Sequence, residues 1–399
     1  MKFLKFAGVY LGFALLIFTI VIGWNYKEFT TVFENSDGLT EGKELVEKTY
    51  SLGGLADYIA ESPEMVSVYS SELQTGKVEI QINADVPRPL GALSSVFLTI
   101  HALNKFDKVP DLATSSVNID SVDAYFVPNV YRSIHEKSMN MLRSKMQENG
   151  GKLQLKELLP VMTEYNSQAI YDYLLMRFGN DAIQETAQQF GYTAPLQLLP
   201  YSGIAIQIHP IVQNKPFETI YTELSSSDSI LVNNVYLSTH SFVHNSGFRK
   251  KVQDIFTEHQ MGISFLQEKK SYALYTKATP IDLTNMIRTF LKSNEVSKQT
   301  KQAFLDILSW PMADRSIKHW FHFYAGIFES RMALSSGIDI AAAQERNDTL
   351  IQTVIFDRIP IAFWFHMSSK FINLDYQRRI SWDSELRDRS LGIKPERTN

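Results

Sequence analysis

The order in which strand-like and helix-like patterns occur constrains this chain most. Met65 to Tyr69 and Val78 to Ile82 alternate apolar and polar residues around Gln74-Thr75-Gly76-Lys77, the signature of a β-hairpin with one buried face. A long run of helical spacing follows, through Gly91 to Asn104, Ser133 to Gln147, Leu155 to Tyr165, Ser167 to Phe178 and Asp181 to Phe190. Near the C-terminus, Trp320 to Phe328, Thr349 to Phe356 and Ile359 to Met367 are rich in β-branched and aromatic residues and read as further strands. Strands at both ends with helices between them predict an α/β (α+β) fold. It has one mixed, mainly antiparallel sheet completed from opposite ends of the chain and flanked by helices, with a helical subdomain inserted over about residues 91–275.

Boundary signals refine this picture. Glu44 to Glu61 has helical spacing with Gly53-Gly54 in its middle, and Thr279 followed by Pro280 predicts an N-cap and the first turn of a helix. A second helix is expected from Val296-Ser297 to about Trp310, and Pro195 to Tyr275 has a mixed pattern without clear elements. The divisions expected are a membrane segment at 1–24, a stem at 25–44, the folded domain at 45–373 and a charged helix or tail at 374–399.

Lys2 and Lys5 precede an uncharged apolar run from Phe6 to Trp24, long enough to span a bilayer. Positive charge on the short side keeps the N-terminus inside and exports the rest, so a single-pass protein of a bacterial inner membrane, with its domain facing the periplasm, is expected. The alternative is a signal peptide cleaved near Val21-Ile22-Gly23, giving a secreted form. The absence of cysteine removes disulfides, thiolate chemistry and Cys-held metals. A net charge of −4 with a pI near 6.2 and no basic block argues against nucleic acid as a partner.

Three stretches resemble class A serine β-lactamases and the D-Ala-D-Ala peptidases related to them. They are Val68 to Lys77 with Ile82-Asn83-Ala84-Asp85 running on to Gly91-Ala92, then Tyr165-Asn166-Ser167-Gln168-Ala169 before a helix ending Arg177-Phe178-Gly179, and Ala278-Thr279-Pro280-Ile281-Asp282-Leu283. The resemblance covers about residues 45–370 and implies a nucleophilic serine at a helix start, a lysine three residues later, a Ser-Asp-Asn turn and a Lys-Thr-Gly strand.

The residues standing at those places are different. Ala92 stands at the nucleophile and Ser95 at the lysine. Asn166 and Gln168 stand at the serine and asparagine of the second motif, and Tyr324-Ala325-Gly326 keeps only the glycine of the third. Lys105 lies ten residues beyond Ser95, about 15 Å along a helix, too far to activate a serine there.

The expectation is therefore a non-catalytic domain that binds a peptidoglycan-derived peptide or an envelope protein, with Asn166, Gln168, His322 and Tyr324 lining its cleft. The alternative is a serine hydrolase of β-lactamase or carboxypeptidase type, with Ser94, Ser95 or Ser167 as relocated nucleophile. A third class is a structural envelope protein. No cofactor or metal is expected: His319 and His322 are three apart on a strand, which sends their rings to opposite faces. His209 reads as loop packing, and Glu164 and Asp172 as solvated helix-face charges.

Overall fold

In the computed structural model the residues described are 35–309, 321–332, 334–343 and 348–393, with backbone alone for 321–325 and 343. The apolar segment at 1–24 and His319 lie outside them. No described helix is long and apolar enough to cross a membrane.

The hairpin forms as its alternation predicts, from β1 (Val66–Glu72) and β2 (Val78–Ile82). Gly76, at φ +73°, makes the turn between them. The C-terminal half supplies β3 (Phe321–Ala325), β4 (Glu329–Arg331), β5 (Leu334–Ala343) and β6 (Leu350–Asp357). The sheet runs β2-β1-β6-β5-β3, with β4 also on β5, and every pairing in it is antiparallel. Strands from opposite ends of the chain therefore meet at its centre, where Val66 to Glu72 face Phe356 to Leu350.

Each face of the sheet carries its own core. Val66, Val68, Val354 and Phe356 pack with Leu55 and Ile59 of α1 (Leu52–Glu61) and with Phe363, Met367 and Tyr376 from the C-terminal helices. On the opposite face Leu334, Ile338, Ile340, Ile351 and Ile355 join the helical part through α2 (Ser95–Lys108). Of that helix's fourteen residues, Ser95 to Asn104 and Phe106 are buried, as befits a helix in the middle of a large domain.

Four helices then position the candidate site: α3 (Arg132–Glu148), α4 (Leu158–Tyr165), α5 (Gln168–Phe178) and α6 (Tyr201–Ile208). The region from Pro195 to Tyr275, unassigned by pattern, is helical; it includes Asp228–His244, Ser246–His259 and α7 (Phe265–Ser271). It leads through a two-residue ladder, Lys277–Ala278 on Arg88–Pro89, into α8 (Pro280–Lys292). Thr279 caps that helix by accepting from the Asp282 amide at 3.0 Å, as expected from Thr-Pro.

The structure corrects several pattern-based expectations. Ile359 to Met367 is not a strand: α9 (Ile361–Lys370) follows Pro360, and its apolar residues serve several neighbours instead of one sheet face. Strand β5 carried no alternation to read because Leu334 to Ala341 are buried on both faces, which is the pattern of a central strand. The helix expected over Glu44 to Glu61 is two helices, because Ser51 caps the second by accepting from the Gly54 amide at 3.0 Å.

Residues 35–44, read as stem, are folded onto the domain. The Asn35 amide oxygen accepts from the Phe265 backbone at 2.6 Å, and Lys269 pairs with Glu41 at 2.7 Å. The C-terminal residues form α10 (Ile372–Arg379) and Ser384–Ser390, held by Tyr376 donating to Ser390 at 2.9 Å and by the Arg389–Asp57 ion pair at 2.5 Å.

Candidate functional site

The site assembles where the chain turns from strand pairing into α2. Gly91 adopts φ +52° and opens a 3₁₀ turn, Gly91–Ser94, that continues into the helix. A helix start presents backbone N–H groups with no partner of their own, and these attract negative charge. Here the Ala92 N–H donates to the Glu329 carboxylate, which is also paired with Arg331.

Both charged residues come from β4 and are almost fully buried, with relative exposures of 5% and 6%. Strand alternation sends them to the same face, while Ser330 between them is exposed. The Arg331 guanidinium lies 3.9 Å over the ring of Tyr131. An Ala92 amide bound in this way cannot hold a developing oxyanion.

The serines near the turn are used as structural donors. Ser95 donates to the Ala92 carbonyl at 2.7 Å, and Ser94 donates to the Gly91 carbonyl at 2.9 Å. Ser94 also meets the Tyr201 hydroxyl at 3.0 Å, and that hydroxyl donates to the Gly91 carbonyl. Burial raises the Tyr201 hydroxyl well above its ordinary pKa, so it is no base at neutral pH.

Ser167, the N-cap residue of α5, meets Ser138 at 3.1 Å, and Ser138 donates to the His135 carbonyl at 2.8 Å. Among the described residues no lysine, histidine ring or carboxylate bonds Ser94, Ser95 or Ser167. An activated nucleophile needs such a partner.

Asn166 adopts φ +49° at the end of α4 and donates to the Phe328 carbonyl at 2.9 Å, tying the second motif to the segment before β4. Its side-chain oxygen is buried without a partner. Ala92, Ser95, Asn166, Ser167, Tyr201 and Arg331 thus surround one void with a free volume of about 10 Å³. That is room for at most one water molecule. Gln168 instead lines two neighbouring cavities beyond Tyr201.

The sequence-predicted strand residues sit further along the sheet edge. His322 and Tyr324 pair through backbone with Ala342 and Ile340, and their side chains are not among those described. The Gly326 amide donates to the Ile338 carbonyl at 2.6 Å, and a Cβ there would lie 2.6 Å from that oxygen, which accounts for the glycine. The residues that reach Ala92 are Glu329 and Arg331. Their signal in the sequence is two opposite charges at i and i+2, lying just beyond the strand-like run that ends at Phe328.

Asp172 is wholly buried instead of solvated. Its carboxylate accepts from the Tyr201 and Ser202 amides at 2.7 and 2.8 Å, fixing the start of α6 and with it the Tyr201 ring. Burial pushes its pKa up to about 7, against the pull of those hydrogen bonds. His209 is a packing residue: its Nε2 meets the Gln260 carbonyl at 3.0 Å and its ring lies 4.6 Å from that of Phe256.

A pair not singled out in the sequence is Asp123 and His135. The imidazole Nε2 donates to the carboxylate at 2.8 Å, and the ring stacks on Phe126 at 3.8 Å. This hydrogen bond holds the Asp123 pKa below the usual carboxylate range. Twelve residues of sequence separate the two, with no periodic cue linking them.

No protein-family model matches the chain, and no curated protein does. Solved structures similar to it include a β-lactamase from Xanthomonas campestris pv. campestris, at 10% identity over 86% of this chain and 99% of that one, with a TM-score of 0.47. A β-lactamase from Desulfarculus baarsii matches at 8% identity over 80% and 97%, with a TM-score of 0.45. A variant of the last common ancestor of Gram-negative bacterial class A β-lactamases matches at 11% identity over 84% and 98%, with a TM-score of 0.47.

Proposed function

We propose that this is a non-catalytic member of the serine β-lactamase and D-Ala-D-Ala peptidase type, anchored by its apolar N-terminal run on the outer side of a bacterial inner membrane. It acts by binding an envelope protein or a cell-wall peptide. One observation carries the reading: the Glu329 carboxylate occupies the Ala92 N–H, the amide on which acyl-transfer chemistry would depend in the register of the resemblance. Ala92 offers no nucleophile, Ser95 offers no base, and the void that Arg331 lines beside them has room for at most one water molecule. A cleft closed this tightly favours a partner protein over a peptide bound in the old substrate groove.

Loss of nucleophile and base together typically costs about 10⁶ in turnover. The full-length protein in detergent micelles, incubated with fluorescent penicillin and read by intact mass, is expected to show no adduct. An adduct, abolished by Ser94→Ala, Ser95→Ala or Ser167→Ala, would overturn the reading and make the protein an acyl-transfer enzyme.

A second reading, a hydrolase with a relocated serine, draws support from Asp123 and His135, because His135 lines the same cavity as Ser167. It requires the Ser167 hydroxyl to leave Ser138 and reach the imidazole. A fluorophosphonate probe that labels Ser167, with labelling lost in His135→Gln, would establish it; absence of labelling would remove it.

A further inference from the structure

Beyond Tyr201 from the closed void lies a larger cavity of about 220 Å³. Its wall includes the rings of Tyr131, Tyr201 and Tyr275, with Glu268 of α7, Ser271 and Asn129 as polar members. The Glu268 carboxylate is well ordered on one oxygen: Tyr272 and Tyr131 donate to its Oε1 at 3.1 and 3.3 Å. Its Oε2 accepts no hydrogen bond among the described residues.

Charge around this cavity is out of balance. Glu268 is the charged member of its lining, and the guanidinium that acts on it from outside the lining, Arg331, is paired with Glu329. The lysines beside Glu268 in sequence point elsewhere: Lys269 pairs with Glu41, and Lys270 pairs with Glu218 over the ring of Tyr221. A partly buried carboxylate with no cation of its own calls for a cation or a proton.

The cavity wall is also held under strain. Tyr131 adopts φ +52°, a conformation rare for a bulky side chain, and is fixed there by the Arg331 stack and the Glu268 hydrogen bond. Aromatic rings gathered around a cavity are the arrangement that recognises alkylated ammonium cations elsewhere in proteins, and a carboxylate beside them adds a counter-charge.

We propose that this cavity binds an organic ammonium group, with Glu268 as its counter-ion and Tyr131, Tyr201 and Tyr275 against its alkyl faces. The proposal does not rest on the cleft being non-catalytic, and its test is independent of acylation by penicillin. Choline and its neutral carbon analogue 3,3-dimethyl-1-butanol serve as probes, titrated calorimetrically into the full-length protein in micelles. Choline is expected to bind at least tenfold tighter than the alcohol, and Glu268→Gln to remove that preference.

Equal binding of the two probes, no choline binding at millimolar concentration, or undiminished choline binding to Glu268→Gln would each overturn it. Should Glu268→Gln fail to fold by circular dichroism, Ala205→Leu fills the cavity while leaving the carboxylate in place. That variant must then lose choline for the proposal to stand.

Discussion

Of the voids that Tyr201 lines, two have opposite characters. The one bounded by Ala92, Ser95 and Asn166 is closed to about 10 Å³, with its helix-start amide bound by Glu329 and that carboxylate matched by Arg331. The other keeps about 220 Å³ open against a carboxylate that lacks a cation of its own. The first has its helix-start amide and its charges matched within the chain; the Asn166 side-chain oxygen is left unpaired, but in a space with room for at most one water. The second leaves a carboxylate without an ion-pair partner beside open space. The ammonium site proposed above draws its carboxylate from α7 and an aromatic wall residue, Tyr275, from the segment that follows it.

That comparison is most directly broken at Arg331. Removing one partner of a buried ion pair leaves an uncompensated charge, which costs about 3 to 5 kcal/mol. Arg331→Met is accordingly expected to lower the unfolding free energy by about that amount in urea titration, whereas Glu329→Gln/Arg331→Met together recovers most of it. A loss under 1 kcal/mol for the single variant would show that the pair does not hold the void closed.

A cut of comparable size is expected on the other sheet face, where Phe363→Ala should cost about 3 to 5 kcal/mol without affecting either void. Choline binding, if present, should survive it. If this variant altered the voids as well as stability, the two faces would not be the separate cores described.

Asp172 links the regions through pH, since it caps α6 and thereby positions Tyr201. Its folded pKa of about 7 lies above the ordinary carboxyl value of 3.8, so the folded protein binds the extra proton between those values. The stability this contributes is fully present below about pH 4 and is lost as pH rises through about 7. Relative to Asp172→Asn, the wild type should therefore lose stability between pH 4 and 7. Asp339, also raised by burial to about 7, falls in the same window and must be varied separately. A difference independent of pH would place the Asp172 carboxyl outside this range.

The smallest effect is expected at the surface. Arg389 and Asp57 are both half-exposed, and breaking their pair with Arg389→Ala should cost no more than about 1 kcal/mol. It should leave both voids unchanged.

The fold was legible in the sequence wherever one period dominated. The hairpin at Val66–Ile82, the Thr279 cap and the helices at Ser95–Lys108, Arg132–Glu148, Leu158–Tyr165, Gln168–Phe178 and Asn180–Gln189 follow from alternation, capping chemistry or helical spacing. What resisted reading was buried on every side: β5 alternates nothing, and α9 is apolar around much of its circumference. The inserted helices between Tyr201 and Ser225 were obscured by short lengths and by Pro200, Pro210 and Pro216, which start new elements rather than end one.

The site was half legible for a related reason. Ala92, Ser95, Asn166 and Ser167 come together because local motifs place each at a helix terminus. The charges that close the void, Glu329 and Arg331, arrive from more than 200 residues away, and only the sheet register shows that they face it.

The central claim, that the helix-start amide is occupied by Glu329 and is lost to chemistry, is tested most directly by rebuilding the missing groups. Intact mass after exposure to fluorescent penicillin should show no acyl adduct on Ala92→Ser/Ser95→Lys while Glu329 is present. An adduct forming on that double variant, with Glu329 intact, would contradict the account.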